Sequence, residues 1–339
     1  MLPVTRTTKE LIEIPSPTGY TDRIIEHLEQ RLDGWGIRHQ RTRKGALIAG
    51  NHPSPELVIA GHIDTLGAMV ASITEAGIIR LCQLGGWPVT SFEGEYLTLF
   101  THDGRTYRGT FLLDNPATHA NREVNSTVRS MDNTWLRLDM ETSSRKDLEA
   151  LGISVGDFVV FDPRFEFVEN GFIRSRFLDN KAGTACLLDV AHALSSTLHE
   201  LPVCFLFSNY EEVGHGAAGG YPDSVKDMLV VDMGVVGKGP AGDEFHTSIC
   251  AKDSGGPYDF GFRTELVNLA RQKEIPHRVD VYPFYSSDGT AALRAGNDFR
   301  VALVGPGVAA SHGLERTHER ALTATCELLT ALIESRYSS

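Results

Sequence analysis

The chain has 339 residues, more than twice the ~150 that serve as a soft prior for one domain, so two compact units are expected. A composition of 41% hydrophobic and 22% charged residues excludes extended disorder, and a net charge of −12, from 32 basic and 44 acidic side chains, argues against a nucleic-acid partner. No apolar run approaches the ~20 residues of a membrane span, and Met1–Lys9 lacks the apolar core of a secretory signal. The expectation is a cytoplasmic protein with neither membrane nor nucleic acid as partner.

Along the chain, apolar spacing predicts helices over Thr8–Ile14 and Thr21–Leu32, separated by the helix-breaking run Pro15-Ser16-Pro17-Thr18-Gly19. Short extended segments at Ile37–Arg41 and Ala46–Ala49 precede an apolar strand, Glu56–Ala60. From Gly67 to Phe172 the pattern changes to short alternating segments (Ser72–Thr74, Ile78–Leu81, Tyr96–Phe100, Gly109–Leu112, Trp135–Asp139, Asp157–Phe161) between Gly, Asp-Gly and Pro turns. That pattern predicts a small β barrel or sandwich. Beyond Phe177, helices (Lys181–Ser195, Tyr258–Lys273, Arg316–Ser335) alternate with buried strands (Val203–Ser208, Asp227–Asp232, Thr247–Ala251, Arg300–Val304), which indicates an α/β sheet covered by helices. The reading is an α/β unit formed by residues 1–66 and 173–339, interrupted by a β insert at 67–172.

Two motifs are decoys. Gly152-Ile153-Ser154-Val155-Gly156 matches the GxSxG nucleophile elbow, but the elbow needs strand, turn and helix in that order, and here a helical segment precedes and a strand follows. Gly237-Lys238-Gly239-Pro240-Ala241-Gly242 matches GxGxxG, yet no helix follows and Pro240 removes a backbone donor that a pyrophosphate would need.

Four other segments carry chemistry, each at the predicted end of a strand or the start of a helix, where open α/β sheets bind ligands. They are Gly61-His62-Ile63-Asp64, Leu178-Asp179-Asn180-Lys181, Asn209-Tyr210-Glu211-Glu212 and Val230-Val231-Asp232, and His312 lies near the end of the chain. Adjacent carboxylates directly after an apolar strand are costly to bury unless a cation neutralises them. The cysteines (82, 186, 204, 250, 326) are scattered and form no CxxC, so imidazole and carboxylate are the available ligands. Alternation along the strand puts His62 and Asp64 on one side, so a carboxylate can orient the imidazole. The set predicts a dinuclear site, in which a hydroxide bridging two divalent ions attacks an amide. One of Glu211 and Glu212 ligates, while the other serves as general base.

These motifs, together with Ile12–Gly19, Thr65–Val70, Leu84-Gly85-Gly86-Trp87, Leu151–Asp157, Ser286-Ser287-Asp288-Gly289 and Ser311–Glu315, run in order through nearly the whole chain. In this the chain resembles the family-42 metallopeptidases, the tetrahedral, cellulase-like metallo-aminopeptidases that include glutamyl aminopeptidases. The resemblance implies a three-layer, mixed-sheet catalytic domain of the zinc aminopeptidase type with a small β barrel inserted for dimerisation. It implies assembly into a homo-oligomer, up to a dodecameric hollow particle. It makes Asp179 the bridging ligand, with His62 and Asp232 completing one shell and Glu212 and His312 the other. Glu211 becomes the general base and Asp64 the residue that orients His62, with zinc or cobalt as the expected ions. The chain departs from the family at Asp179-Asn180-Lys181, a milder form of the usual acidic-acidic-basic run. It departs again before His312, where Gly307–Ser311 lacks an arginine-aromatic pair, which leaves His318 as a rival ligand.

The expected reaction is removal of N-terminal residues from short peptides. The alternatives are a deacylase acting on a small acylated or dipeptide-like amide, and a non-catalytic assembly protein. A glycoside hydrolase needs carboxylates opposed across a sugar ring, ~5–9.5 Å apart, which an adjacent Glu-Glu pair does not supply.

Overall fold

A computed structural model describes residues 1–337, which divide into two compact units: Met1–Thr65 with the chain from Arg164 onward, and Leu66–Pro163.

The larger unit is built on a mixed sheet of thirteen strands. At its centre Val203–Ser208, Leu57–His62, Asp227–Val231 and Arg300–Ala309 run parallel and adjacent in that order. These strands are apolar almost throughout because both of their faces are covered. Alternate residues divide accordingly. Leu57, Ile59, Phe205, Phe207, Leu229, Val231 and Val304 pack with helices Pro3–Ile12, Asp22–Gly34, Leu178–Ala193, Phe260–Gln272 and Glu319–Tyr337. Val58, Ala60, Cys204, Leu206, Met228, Val230 and Leu303 face the other way, toward Ala217, Tyr258, Tyr282 and Ala292. The result is the expected three-layer arrangement. Gly305 sits where a Cβ would lie 1.6 Å from the main-chain oxygen of Asp232, so only glycine permits the two strands to approach so closely there.

The smaller unit is a closed six-stranded barrel, in the order Gly67–Ile73, Ile79–Leu84, Thr134–Leu138, Thr106–Leu113, Tyr96–Phe100, Phe158–Phe161. Pairing of Ala68 with Val159 closes it and removes the exposed edges of an open sheet. Its core is aromatic: Trp87 lies 4.6 Å from Phe92 and 5.3 Å from Phe161, with its indole N–H donated to the Gly67 carbonyl at 2.8 Å.

Two of the differences from the sequence reading are related. The β unit ends at Pro163 rather than 172, because Phe172–Ser175 pairs antiparallel with Glu315–His318 in the larger sheet. Their alternation resembles that of the barrel strands, and only the partner, about 140 residues away, separates them. Residues Arg316–His318 were expected to open the last helix; together with Glu315 they form that partner strand, and the helix begins at Glu319. Both decoys resolve as anticipated. Gly152–Gly156 is a turn between helix Arg145–Ala150 and strand Phe158–Phe161, and the segment after Gly237 leads to strand Thr247–Asp253 without a helix.

Candidate metal centre

The four central strands end at one edge of the sheet, and the chain leaving each supplies an acid or an imidazole. His62 is the last residue of its strand, paired with Ser208, after which Tyr210 turns the chain into Glu211 and Glu212. Asp232 follows Val231, which pairs with Val304, and His312 lies in the loop after Ala309. Asp179 opens helix Leu178–Ala193 with non-helical backbone angles, and its peptide to Asn180 is cis. Phe177, Tyr210 and His312 all have left-handed backbone (φ 66°, 74° and 63°). Non-glycine residues of this kind are uncommon and concentrate at functional sites. Each either precedes a candidate ligand closely or is one.

Asp179 is central. Its Oδ1 lies 3.2 Å from His62 Nε2, and its Oδ2 lies 3.3 Å from His312 Nε2. One carboxylate thus presents an oxygen to each imidazole. On the His62 side, Asp232 Oδ1 is 3.7 Å and Glu211 Oε2 3.8 Å from Nε2. On the His312 side, Glu212 Oε2 is 3.6 Å from Nε2. His62, Asp179, Glu212 and Asp232 are almost completely enclosed.

Burial and like charge act together on these groups. Burial pushes the Glu211 carboxyl well above the carboxylate range; His62 opposes this and Asp232 and Asp288 reinforce it. Burial and the Asp179 charge do the same to Glu212. Burial likewise works against ionised Asp179, but hydrogen bonds from His312 and His62 override it and hold that carboxyl below its usual range. Burial would lower the His62 imidazole, yet Asp232 and Asp179 hold it well above its ordinary value. Glu212 Oε1 is buried without a hydrogen-bond partner. Buried carboxylates at this density need cations, and a mixed nitrogen and oxygen donor set with one orphaned carboxylate oxygen fits divalent metal ions.

A supporting layer fixes the geometry. Taking His62 Nδ1 as the donor, it bonds the main-chain oxygen of Asp64 at 2.9 Å, which leaves Nε2 as the nitrogen that faces the carboxylates and that would take a metal ion in place of its proton. Asp64 therefore orients the ring through its carbonyl and not, as the alternation suggested, through its carboxylate, whose Oδ1 stands 3.7 Å away. That carboxylate is committed elsewhere. It accepts from Thr18 Oγ1 at 2.6 Å and from the Glu211 backbone N–H at 3.2 Å, which ties together the loops bearing His62 and Glu211.

Three residues without an assigned role in the sequence reading also position the site. Glu315 accepts from the backbone N–H of Asp179 (3.1 Å) and of His312 (2.9 Å), joining the two ligand loops. Asp288 accepts from Ser208 Oγ and from the Ala217 N–H at 2.8 Å, so it brackets the segment carrying both glutamates. Lys181, fully buried, donates to Ser16 Oγ at 2.5 Å and to the Ile63 carbonyl at 2.8 Å. An acid following the last histidine and the Ser-Ser-Asp-Gly run were the available sequence signals for the first two.

His318 stays outside the cluster. Its Nε2 donates to the Asn170 carbonyl at 2.8 Å, its Nδ1 accepts from the Arg320 N–H at 3.1 Å, and its ring packs on Phe172 and Phe245. Both nitrogens are occupied, so His312 is the imidazole that joins Asp179.

The model of the M42 glutamyl aminopeptidase family matches residues 45–328, most of the chain. The chain belongs to that family. It is 43% identical over 332 residues, 96% of both chains, to YhfE of Bacillus subtilis (strain 168), a protein provisionally named an aminopeptidase. It is 26% identical over 212 residues to the lysyl aminopeptidase of Pyrococcus furiosus, covering 61% of this chain and 59% of that one. Its fold matches the aminopeptidase APDkam598 of the archaeon Desulfurococcus kamchatkensis (TM-score 0.86, 23% identity, 98% of this chain and 94% of that chain). It also matches the dodecameric PhTET1-12s (TM-score 0.85, 22% identity, 98% and 99%). This M42 chain is thus a metal-dependent peptide hydrolase of the aminopeptidase class. No helix among the described residues is long and apolar enough to cross a membrane.

Proposed function

We propose that this M42 enzyme removes N-terminal residues from short peptides at a dinuclear centre. His62, Asp179 and Asp232 would hold one divalent ion, and Asp179, Glu212 and His312 the other, with zinc or cobalt as the ions. The observation that carries this reading is the split of the Asp179 carboxylate, one oxygen toward each histidine. Bound divalent ions would acidify a water and polarise the scissile carbonyl.

The chain's own groups supply the proton chemistry. Glu211 reaches the same imidazole as Asp232 but stands farthest from it, and its raised carboxyl matches a group that must take and return a proton near neutrality. It accepts the proton of the attacking water and delivers it to the leaving amine. Asp64 keeps the His62 lone pair turned inward, and Glu315 holds the backbone of Asp179 and His312. The barrel unit would provide contacts between copies in a homo-oligomer, in keeping with the dodecameric relative of like fold.

The test is metal analysis of wild type and Asp179→Ala, with hydrolysis measured on free and N-acetylated dipeptides. Wild type should carry about two ions per chain and cleave the free dipeptides; Asp179→Ala should lose both metal and turnover. Wild type that stays metal-free and unresponsive to added zinc, cobalt or manganese overturns the centre. Cleavage of the acetylated set alone overturns the aminopeptidase reading in favour of a deacylase.

A further inference from the structure

Three tyrosines, Tyr258, Tyr282 and Tyr285, cluster beyond the site on the Tyr282–Ser287 loop and the segment that packs against it. Two have ordinary structural roles. Tyr258 Oη bonds Asp253 Oδ2 at 2.8 Å and Ser287 Oγ at 2.7 Å, and Tyr282 Oη bonds Ser248 Oγ at 2.5 Å. Tyr285 differs. Its phenolic oxygen is buried and has no hydrogen-bond partner. Leaving a buried donor unpaired costs about 1–3 kcal/mol, and phenylalanine would fill the same space without that cost.

The rest of the residue is firmly held. Its ring packs edge-on against Tyr282, with centroids 5.3 Å apart, and its carbonyl accepts from Ser254 N–H at 2.9 Å and Ser254 Oγ at 2.6 Å. Asp232, Glu211 and Asp179 of the centre are acids whose charges reach this hydroxyl. Burial first, then Asp232, Glu211 and Asp179, drive its ionisation well above the ordinary tyrosine value. A tyrosine phenol ordinarily ionises only near about 10, so at neutrality the hydroxyl is a hydrogen-bond donor and not a base.

Resting on the aminopeptidase reading, we infer that Tyr285 is a catalytic residue whose hydroxyl donates a hydrogen bond to the scissile carbonyl oxygen as the carbonyl becomes tetrahedral. When water oxygen bonds the carbonyl carbon, the C=O π pair moves onto the carbonyl oxygen, while Glu211 takes the water proton. Tyr285 stabilises the charge on that oxygen by donation and transfers no proton. The C–N bond then breaks, the carbonyl re-forms, and the leaving amine takes the proton from Glu211. A preorganised donor contributes most where negative charge develops in a water-poor site.

Tyr285→Phe tests this, because it removes only an unpartnered oxygen and so should melt no lower than wild type. With metal loaded, kcat on a free dipeptide should fall about 100-fold while KM and metal content change less than about twofold. A second readout is binding measured by calorimetry. Affinity for a 1-aminoalkylphosphonic acid, whose tetrahedral oxygens mimic the hydrated carbonyl, should fall by a similar factor, while affinity for the free amino acid product stays constant. Wild-type kcat in Tyr285→Phe, or equal loss of affinity for phosphonate and product, overturns the inference. Failure of the metal-loaded wild type to cleave any free peptide instead overturns the aminopeptidase reading, and the wild-type control separates the two.

Discussion

Neighbouring glutamates in one short turn carry different duties because the backbone before them is left-handed. Tyr210, at φ 74°, turns the chain so that Glu211 faces His62 and Glu212 faces His312. If Glu211 is the base, Glu211→Gln removes proton transfer and leaves the proposed ligands in place. Turnover of a free dipeptide should then fall ~10²- to 10⁴-fold while metal content stays at the wild-type level. Retained turnover in a fully loaded Glu211→Gln enzyme would refute the assignment. The candidate ligands were legible as a set of acids and imidazoles close after apolar runs; one such acid alone says little, since Asp162 follows Phe158–Phe161 and pairs with Arg108 at the surface. Glu315 and Tyr285 were not legible in the same way. The first acts through two backbone N–H groups 136 and 3 residues away, and the second through the absence of a partner, and neither leaves a periodic trace.

At the level of elements, legibility followed burial on both faces. Val203–Ser208 was read with its observed limits, as was Tyr96–Phe100 in the barrel, since an apolar or alternating run bounded by turns has one interpretation. The limits set at Phe172 and Arg316 were misplaced because the strands there, Phe172–Ser175 and Glu315–His318, are each defined by the other. The same sheet shows why the centre tolerates little change in its scaffold. Gly305, one strand away from Asp232, would place a Cβ within 1.6 Å of that residue's carbonyl oxygen and 2.6 Å of its carbonyl carbon. The obstruction is backbone and cannot rotate aside, so Gly305→Ala must separate the strands or displace Asp232. A loss of about 2 kcal/mol in urea unfolding is expected, within the overpacking range, together with weaker metal retention. Gly237→Ala, with open space around its Cβ position, should stay within about 0.5 kcal/mol of wild type. Equal stability of the two variants would show that the strand contact is not a constraint.

For the molecule as a whole, the net charge of −12 includes a concentrated internal share. Asp64, Asp179, Glu211, Glu212, Asp232, Asp288 and Glu315 face one region, against His62, His312 and Lys181. Metal removal should therefore change how stability depends on pH. Burial, chiefly, raises Asp288 to about 6 and Glu315 to about 8 in the metal-free chain, and the carboxylates around His62 raise that imidazole against the effect of burial. Each of these groups binds more protons folded than unfolded between their unfolded pKa values and neutrality. Because stability changes with pH in proportion to protons bound unfolded minus protons bound folded, the metal-free protein should lose stability as pH rises from 5 to 7. Lys181, lowered by burial to about 7, holds fewer protons folded than unfolded above that pH, so there it offsets part of the fall that Glu315 and His62 continue. The metal-loaded enzyme should behave in the opposite sense, since deprotonated ligands bind the ions more tightly and each ion present at 100 times its Kd adds about 2.7 kcal/mol. Melting curves of chelated and reloaded protein at pH 5, 6 and 7 should diverge, with the gap widening toward pH 7. Parallel curves would mean that the buried acids do not gather around a metal centre.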